Sequence, residues 1–191
     1  MRGLSVHFLL DLDGTIYQTL DLKECAQHAT IANGRSIGVE IANIGAFPEG
    51  SPDPFDRWYQ EGPEGRALLV GPDVPQSGGT GGRAAVLRPS RPKIVKGMVQ
   101  GERLRQYDFT PEQYNALTRL TATLCKLFPQ IKCDYPRDAS GAVVTHKLPD
   151  EELARYHGIL GHYHVQTNKV DPGPAFQWER FMETAKELMA E

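Results

Sequence analysis

The chain has 191 residues, a formal net charge of −3, 40% hydrophobic residues and 24% charged residues. These proportions are ordinary for a globular protein, and the length suffices for one domain with a sizeable core. The charge balance gives no electrostatic footprint for nucleic acid, and no apolar run approaches the roughly 18 residues of a membrane span. We therefore expect a single domain over residues 1–191 that binds no nucleic acid, crosses no membrane and is a monomer.

Three widely spaced cysteines, Cys25, Cys125 and Cys133, form neither a disulfide framework nor a Cys-x-x-Cys site. We expect free thiols, with a pairing of Cys125 and Cys133 as the alternative. No basic segment followed by an apolar one is visible at the start, so the sequence shows no signal peptide and the compartment stays open.

The first predicted element is a β-hairpin over residues 5–20, with SVHFLLDL as one strand, Asp13-Gly14 as the turn and TIYQTL as the return strand. FLLDLDGTIY also resembles the first motif of the haloacid dehalogenase-like phosphatases. In that reading Asp11 would be the nucleophile and Asp13 the general acid/base, with magnesium between them. That fold needs a parallel sheet and a helix after the loop, whereas the residues after Thr15 alternate as a returning strand. The phosphatase is therefore the remote alternative.

Residues 36–43 predict a buried strand that is interrupted by one carboxylate, Glu40. A buried glutamate is costly unless it is paired or used. Either Glu40 forms an ion pair with an arginine such as Arg35, or it is a functional carboxylate.

Residues from about 48 to 96 are rich in Pro, Gly and Ser and have no sustained periodicity, which predicts an insertion. Within it, Trp58 and Tyr59 would either form a sugar-stacking wall or pin the insertion to the body of the domain.

The best helix signal starts at Thr110, which is followed by Pro111 at the first helical position and by Gln113 in a capping box. An apolar stripe at helical spacing then predicts a face packed on the sheet: Tyr114, Leu117, Leu120, Leu124 and Leu127 or Phe128. A short helix is predicted over 148–157, and a final one begins near Trp178.

The segment from Gly158 to Phe176 reads GILGHYHVQTNKVDPGPAF. Its start predicts a strand, on which His162 and His164 would share a face because residues two apart do so. Asp171 precedes Pro-Gly-Pro, which predicts a stiff elbow. A catalytic zinc takes three protein ligands and leaves one position open. The segment therefore suggests zinc chemistry, although a polar loop with a satisfied histidine is the plainer alternative.

The stretch GHYHVQTNKVDPGPAFQW resembles the closing motif of the type-2 N-acetylmuramoyl-L-alanine amidases, a zinc family that includes the peptidoglycan recognition proteins. The resemblance implies zinc ligands at His162 and Asp171 and an oxyanion-stabilising lysine at Lys169. Earlier stretches, SVHF, DGT and QHA, also resemble family motifs. Ser-Ile-Gly-Val-Glu matches the family strand that carries the general base, which implies this role for Glu40.

The family's first zinc ligand is a histidine that ends a strand before the SVHF strand, and the chain has only Arg2-Gly3-Leu4 after Met1 in that place. We therefore expect an N-terminally truncated domain. A misplaced start, a truncated gene, and a ligand supplied instead by His7 or, preferably, by His28 all stay open as explanations. Gln27 replaces the usual tryptophan and Val6 replaces a tyrosine of some relatives. We place substrate contacts at His28, Asn43 and His164.

The resemblance implies an α/β fold with a mixed central β-sheet flanked by helices, like that of the peptidoglycan recognition proteins. It implies zinc-dependent hydrolysis, in bacterial cell-wall metabolism, of the amide between N-acetylmuramic acid and L-alanine. The partner would be peptidoglycan or muropeptide fragments, with intact wall and recycled fragments both open. A non-catalytic peptidoglycan-binding module is the alternative, because some relatives keep the groove and lose a zinc ligand.

Overall fold

The computed structural model describes residues 3–62, 65–68 and 87–191. Its strands are β1 (Phe8–Leu10), β2 (Ile16–Gln18), β3 (Val39–Ile41), β4 (Phe47–Pro48), β5 (Tyr59–Gly62), β6 (Gly65–Leu68), β7 (Val95–Val99) and β8 (Glu102–Gln106). Its α-helices are α1 (Phe55–Trp58), α2 (Pro111–Leu127), α3 (Asp150–Arg155) and α4 (Trp178–Ala190). Two 3-10 helices cover Thr30–Arg35 and His162–His164. Part of the predicted insertion, residues 69–86, lies outside the described residues.

The strands form a mixed sheet in the order β2-β1-β3, an antiparallel sheet in the order β4-β8-β7, and the pair β5-β6. Helices and small sheets together confirm the α/β class. The prediction of one central sheet is wrong for the described residues, which form three small sheets. One reason lies just after β3, where the side chain of Asn43 accepts from Gly45 N over 2.9 Å and Gly45 has φ 96°. This turn takes the chain out of the first sheet and into the second.

The predicted hairpin is confirmed, since β1 pairs antiparallel with β2 while β3 pairs parallel with β1 on its other side. Gly14 has φ 83° in the turn, and a Cβ there would lie 2.7 Å from the carbonyl oxygen of Glu112. Thr110 Oγ1 donates to Leu12 O over 2.7 Å. The hairpin turn therefore rests on the first turn of α2. A returning strand stands where the phosphatase alternative needs a helix.

Helix α2 begins as predicted, with Thr110 as N-cap and a reciprocal capping box with Gln113. Its most buried face differs from the predicted stripe, because the buried side chains beyond Leu117 include Thr118, Thr121, Ala122 and Cys125. Leu127 is 65% exposed and Phe128 is 39% exposed. The helix packs against α4, which begins at Trp178 as predicted and whose buried face is formed by Trp178, Phe181, Met182 and Ala185.

In the described part of the insertion, Tyr59 is buried and stacks on Tyr107 with a ring distance of 4.0 Å. Tyr59 thus pins this region to the body of the domain. All three cysteines are free thiols. None of the described helices is both long enough and apolar enough to cross a bilayer.

Candidate functional site

The segment predicted to enter as a strand forms a 3-10 helix at His162–His164, so the prediction that these two histidines share a face is wrong. The reason is tertiary packing at Gly161. A Cβ on that residue would lie 2.6 Å from Cδ of Pro172 and 3.2 Å from the ring of Trp178. The backbone of Gly161 is packed directly against Pro172 and Trp178, and the chain continues from there as a 3-10 helix instead of a strand.

His164 is completely buried, so the predicted substrate contact at this residue conflicts with the structure. Its Nδ1 accepts from Gly161 N over 2.9 Å, and its Nε2 donates to Val144 O over 2.6 Å. Burial is the main cause that lowers the pKa of His164 to about 4, so the ring is neutral at pH 7. His164 is a structural histidine that ties the segment to the preceding loop.

His162 and Asp171 lie together at the surface of the same segment. His162 Nδ1 donates to Asp171 Oδ2 over 3.0 Å, and His162 Nε2 donates to Gln166 Oε1 over 2.7 Å. Desolvation alone would lower the pKa of His162, but the hydrogen bond and charge of Asp171, with Gln166, outweigh it and raise the pKa. Desolvation would raise the pKa of Asp171, yet its hydrogen bond to His162 leaves that pKa lowered.

Glu40 lies in the middle of β3 with its side chain exposed, so the prediction of a buried strand position is wrong for this residue. Partial desolvation is the largest cause that raises the pKa of Glu40, and the nearby carboxylate of Asp171 adds to it. The charges of His162 and Lys169 act in the opposite direction. The charges of Asp171, His162 and Lys169 therefore all lie within electrostatic range of the Glu40 carboxylate.

Arg35, the predicted alternative partner of Glu40, forms hydrogen bonds with backbone carbonyls instead of an ion pair. Arg35 donates to the backbone carbonyls of Leu153, Ala154 and Tyr156. These carbonyls end α3, where a cation is favourable. The charges that act on Glu40 are therefore those of Asp171, His162 and Lys169.

His28 lies beside this group, because the charge of His162 contributes to its lowered pKa, after burial and after His7. Ser36 Oγ donates to Ala32 O over 2.7 Å and lies 3.2 Å from His28 Nε2. Since the hydroxyl proton is committed, Nε2 of His28 must be the donor to Ser36. The neutral ring then carries its lone pair on Nδ1, and none of the described residues donates a hydrogen bond to it.

Packing against His28 explains why Gly38 stands in the Ser-Ile-Gly-Val-Glu stretch. A Cβ on Gly38 would lie 2.9 Å from the ring of His28, so only glycine lets the ring lie against β3. His7 packs edge-on against His28 at a ring distance of 6.4 Å. His7 is buried, and its two ring nitrogens bond Gly38 N and Glu24 O. Of the two substitutes for a missing ligand, only His28 keeps a nitrogen lone pair available.

Two of the donors suit a zinc ion. Zinc–ligand distances of about 2.0–2.2 Å and tetrahedral angles place neighbouring ligand atoms about 3.4 Å apart, close to the 3.0 Å between His162 Nδ1 and Asp171 Oδ2. Within the part of the chain that the structure describes, no three His, Cys, Asp or Glu side chains converge tightly enough to hold a metal. His162 and Asp171 thus offer two adjacent donors, and His28 does not complete a three-ligand group among the described residues.

Asn43, predicted as a substrate contact, takes part in an internal network. Its Oδ1 accepts from Gly45 N and, over 3.3 Å, from Gln106 Nε2. Buried Gln106 also donates to Pro172 O over 2.9 Å and accepts from Ala175 N over 3.0 Å. Sequence reasoning missed Gln106, which holds the turn that follows Asp171, because nothing local marks this strand residue as a partner of that turn.

Comparison with known proteins yields one finding. The model of the family described as N-acetylmuramoyl-L-alanine amidase matches residues 1–174, a range that includes His28, Glu40, His162, Lys169 and Asp171. No curated protein and no solved structure matches the chain.

Proposed function

The chain belongs to the N-acetylmuramoyl-L-alanine amidase family, whose activity is hydrolysis of amide bonds in peptidoglycan, and on that premise we propose that it is a zinc-dependent enzyme. It cleaves the amide between the lactyl group of N-acetylmuramic acid and L-alanine. The observation that carries the proposal is the pairing of His162 Nδ1 with Asp171 Oδ2 over 3.0 Å, in a region whose charges, with that of Lys169, shift the pKa of Glu40. A hydrolase needs a base, an oxyanion partner and metal donors in one place, and these side chains supply all three.

His162 and Asp171 would hold the zinc, with His28 Nδ1 as the candidate for a third donor. Zinc supplies Lewis-acid polarisation of the scissile carbonyl and lowers the pKa of water to about 7. On binding, the metal would replace the proton that His162 Nδ1 shares with Asp171 Oδ2. Proton release on metal binding is the general consequence of such ligation.

Glu40 is the general base. Its carboxylate accepts a proton from the attacking water and delivers it to the leaving nitrogen of L-alanine. The raised pKa suits this shuttle, because a base that is too acidic holds the proton weakly. The exposed side chain leaves room for substrate on this face of β3.

Lys169 stabilises the negative charge that develops on the carbonyl oxygen. Its ammonium lies near enough to lower the pKa of Glu40 and of Asp171. A fixed positive charge in a partly desolvated place is worth more than one in water. We further propose that the chain is a single domain.

The experiment measures zinc content and the release of stem peptide from muropeptides. We expect about one zinc per chain, a loss of kcat of about 10²–10⁴ for Glu40→Gln, and a loss of about 10²–10³ for Lys169→Ala. Glu102→Gln on β8 and Lys126→Ala on α2 are matched controls at exposed positions and should change little. Retained hydrolysis in both site variants would end the mechanistic assignment.

A non-catalytic peptidoglycan-binding module is the second candidate, favoured by the lack of a three-ligand group among the described residues. It predicts muropeptide binding without peptide release at any zinc concentration. The two functions are separated by measuring binding and release on the same sample.

A further inference from the structure

The turn between β7 and β8 contains an unusual residue. Gln100 and Gly101 form a two-residue hairpin loop, with φ 53° and φ 77°. Positive φ at both positions is the geometry that strongly prefers Asn-Gly, and a positive φ is uncommon for other residues. Glutamine is therefore a poor choice for the turn itself, and its side chain suggests another reason for its presence.

The side-chain amide of Gln100 reaches the segment that carries the proposed catalytic residues. Its Nε2 donates to Tyr163 O over 2.9 Å, to Gln166 O over 2.8 Å and to Lys169 O over 3.3 Å. Its Oε1 accepts from Lys147 N over 3.2 Å. Both ends of the amide are thus used, and three carbonyls spaced three residues apart converge on one nitrogen.

We propose that Gln100 is a positioning residue for the 162–169 segment, and this role in catalysis rests on the proposed function. The segment coils around the amide, which fixes the backbone of Lys169 directly. It also fixes the backbone of Gln166, whose side chain bonds His162. The backbone bonds within the segment run from Val165 N and Gln166 N to His162 O, over 2.9 and 3.0 Å, and over a longer 3.3 Å from Lys169 N to Gln166 O, so the part from Gln166 to Lys169 is the less firmly held. One outside group thus supports the orientation of both a metal donor and the oxyanion partner.

The substitution Gln100→Asn separates this role from that of a turn residue. It creates Asn-Gly, which favours the hairpin, but shortens the side chain by one carbon, about 1.5 Å. The hairpin should become at least as stable while the 162–169 segment loosens. Gln100→Glu is the second variant, because a carboxylate of the same size accepts but does not donate to the three carbonyls.

Hydrogen exchange and zinc affinity are measured on the full chain. For Gln100→Asn we expect the amides of Tyr163, Val165 and Gln166 to exchange at least about tenfold faster and zinc to bind about tenfold or more weakly in a chelator competition. Amides of the β7–β8 pair should stay as protected as before. Gln100→Glu should loosen the same amides. Phe55→Leu, in a separate core cluster, serves as a control that lowers stability without contact to this segment.

Unchanged exchange of the 162–169 amides in both variants, with zinc affinity within about twofold, would overturn the proposal. Loss of protection throughout the chain, as in Phe55→Leu, would also overturn it, because Gln100 would then serve general stability. The exchange measurement needs no enzymatic activity. A chain that lacks amidase activity but shows local loosening would therefore refute the proposed function while leaving the positioning of the segment intact.

Discussion

Leu9 lies directly opposite Glu40 in the parallel pair of β1 and β3. Leu9 is 40% exposed, whereas its neighbours Phe8 and Leu10 are buried. Because alternate strand residues face opposite sides, Leu9 and Glu40 share the exposed face of the sheet. Leu9 is therefore a place from which the charge environment of the proposed base can be changed without touching the core.

We expect opposite charges at residue 9 to move the acid limb of the activity profile in opposite directions. The base works when deprotonated, so activity falls as pH drops through the pKa of Glu40, which is raised above 4.5. Leu9→Glu should raise this pKa and Leu9→Lys should lower it, because a like charge disfavours and an opposite charge favours the ionised carboxylate. Leu9→Gln is the neutral control. The pH dependence of kcat/KM checks the prediction, and shifts of the same sign in both charged variants would contradict it.

Gly173→Ala should disturb the turn after Asp171. Gly173 has φ 88°, and a Cβ there would lie 2.2 Å from Oε1 of Gln106. Gly141→Ala is a matched control, since Gly141 has φ 86° and nothing within 4 Å of a Cβ. The control should lose about 1–2 kcal/mol for its backbone alone. Gly173→Ala should lose more and also weaken zinc binding, as measured by denaturant unfolding and metal titration. Equal losses of unfolding free energy in the two variants would mean that the Gln106 side chain moves away at no cost, which would contradict the prediction.

His164→Leu should destabilise the fold, because it leaves Gly161 N and Val144 O buried without their partner. We expect a cost of about 2–4 kcal/mol and a fall in Tm on the order of 10 °C. His146→Leu, at an exposed position, is the matched control and should change stability by less than about 0.5 kcal/mol. Calorimetry decides the matter. Equal thermal stability of the two variants would contradict the structural role of His164.

Asp11→Asn should leave amidase activity within about twofold and stability within about 0.5 kcal/mol. Among the described residues, Asp11 Oδ1 accepts just a local hydrogen bond, from Leu12 N over 2.7 Å, at an exposed position of the hairpin. Assays of peptide release and of phosphate release are run in parallel. Magnesium-dependent phosphate release that this substitution abolishes would support the phosphatase alternative instead.

Local signals predicted the elements whose cause is local. The Asp-Gly turn between β1 and β2 and the capping box at Thr110 depend on residues within a few positions, and both are confirmed. The coil at His162 was missed because it depends on the contact of Gly161 with Pro172, which is close in space but not in the strand pattern. Tertiary packing likewise turned the buried face of α2 toward Thr118.

The candidate site divides in the same way. Family motifs named Glu40, His162, Lys169 and Asp171, and the charges of the last three all act on the pKa of Glu40. The supporting glutamines have no such motif, since an amide that holds distant carbonyls leaves no periodic or spaced pattern in the chain. His164 was misjudged because spacing alone does not distinguish an inward from an outward histidine.

The β7–β8 hairpin limits how far this protein can be shortened. A minimal catalyst made by joining residue 46 to residue 109 would retain every side chain assigned to the chemistry. It would lack Gly97, which lies flush against Pro174, and the amides of Gln100 and Gln106. Such a shortened chain should keep its reactive side chains but lose the backbone contacts that orient them. A shortened variant should therefore retain β7 and β8.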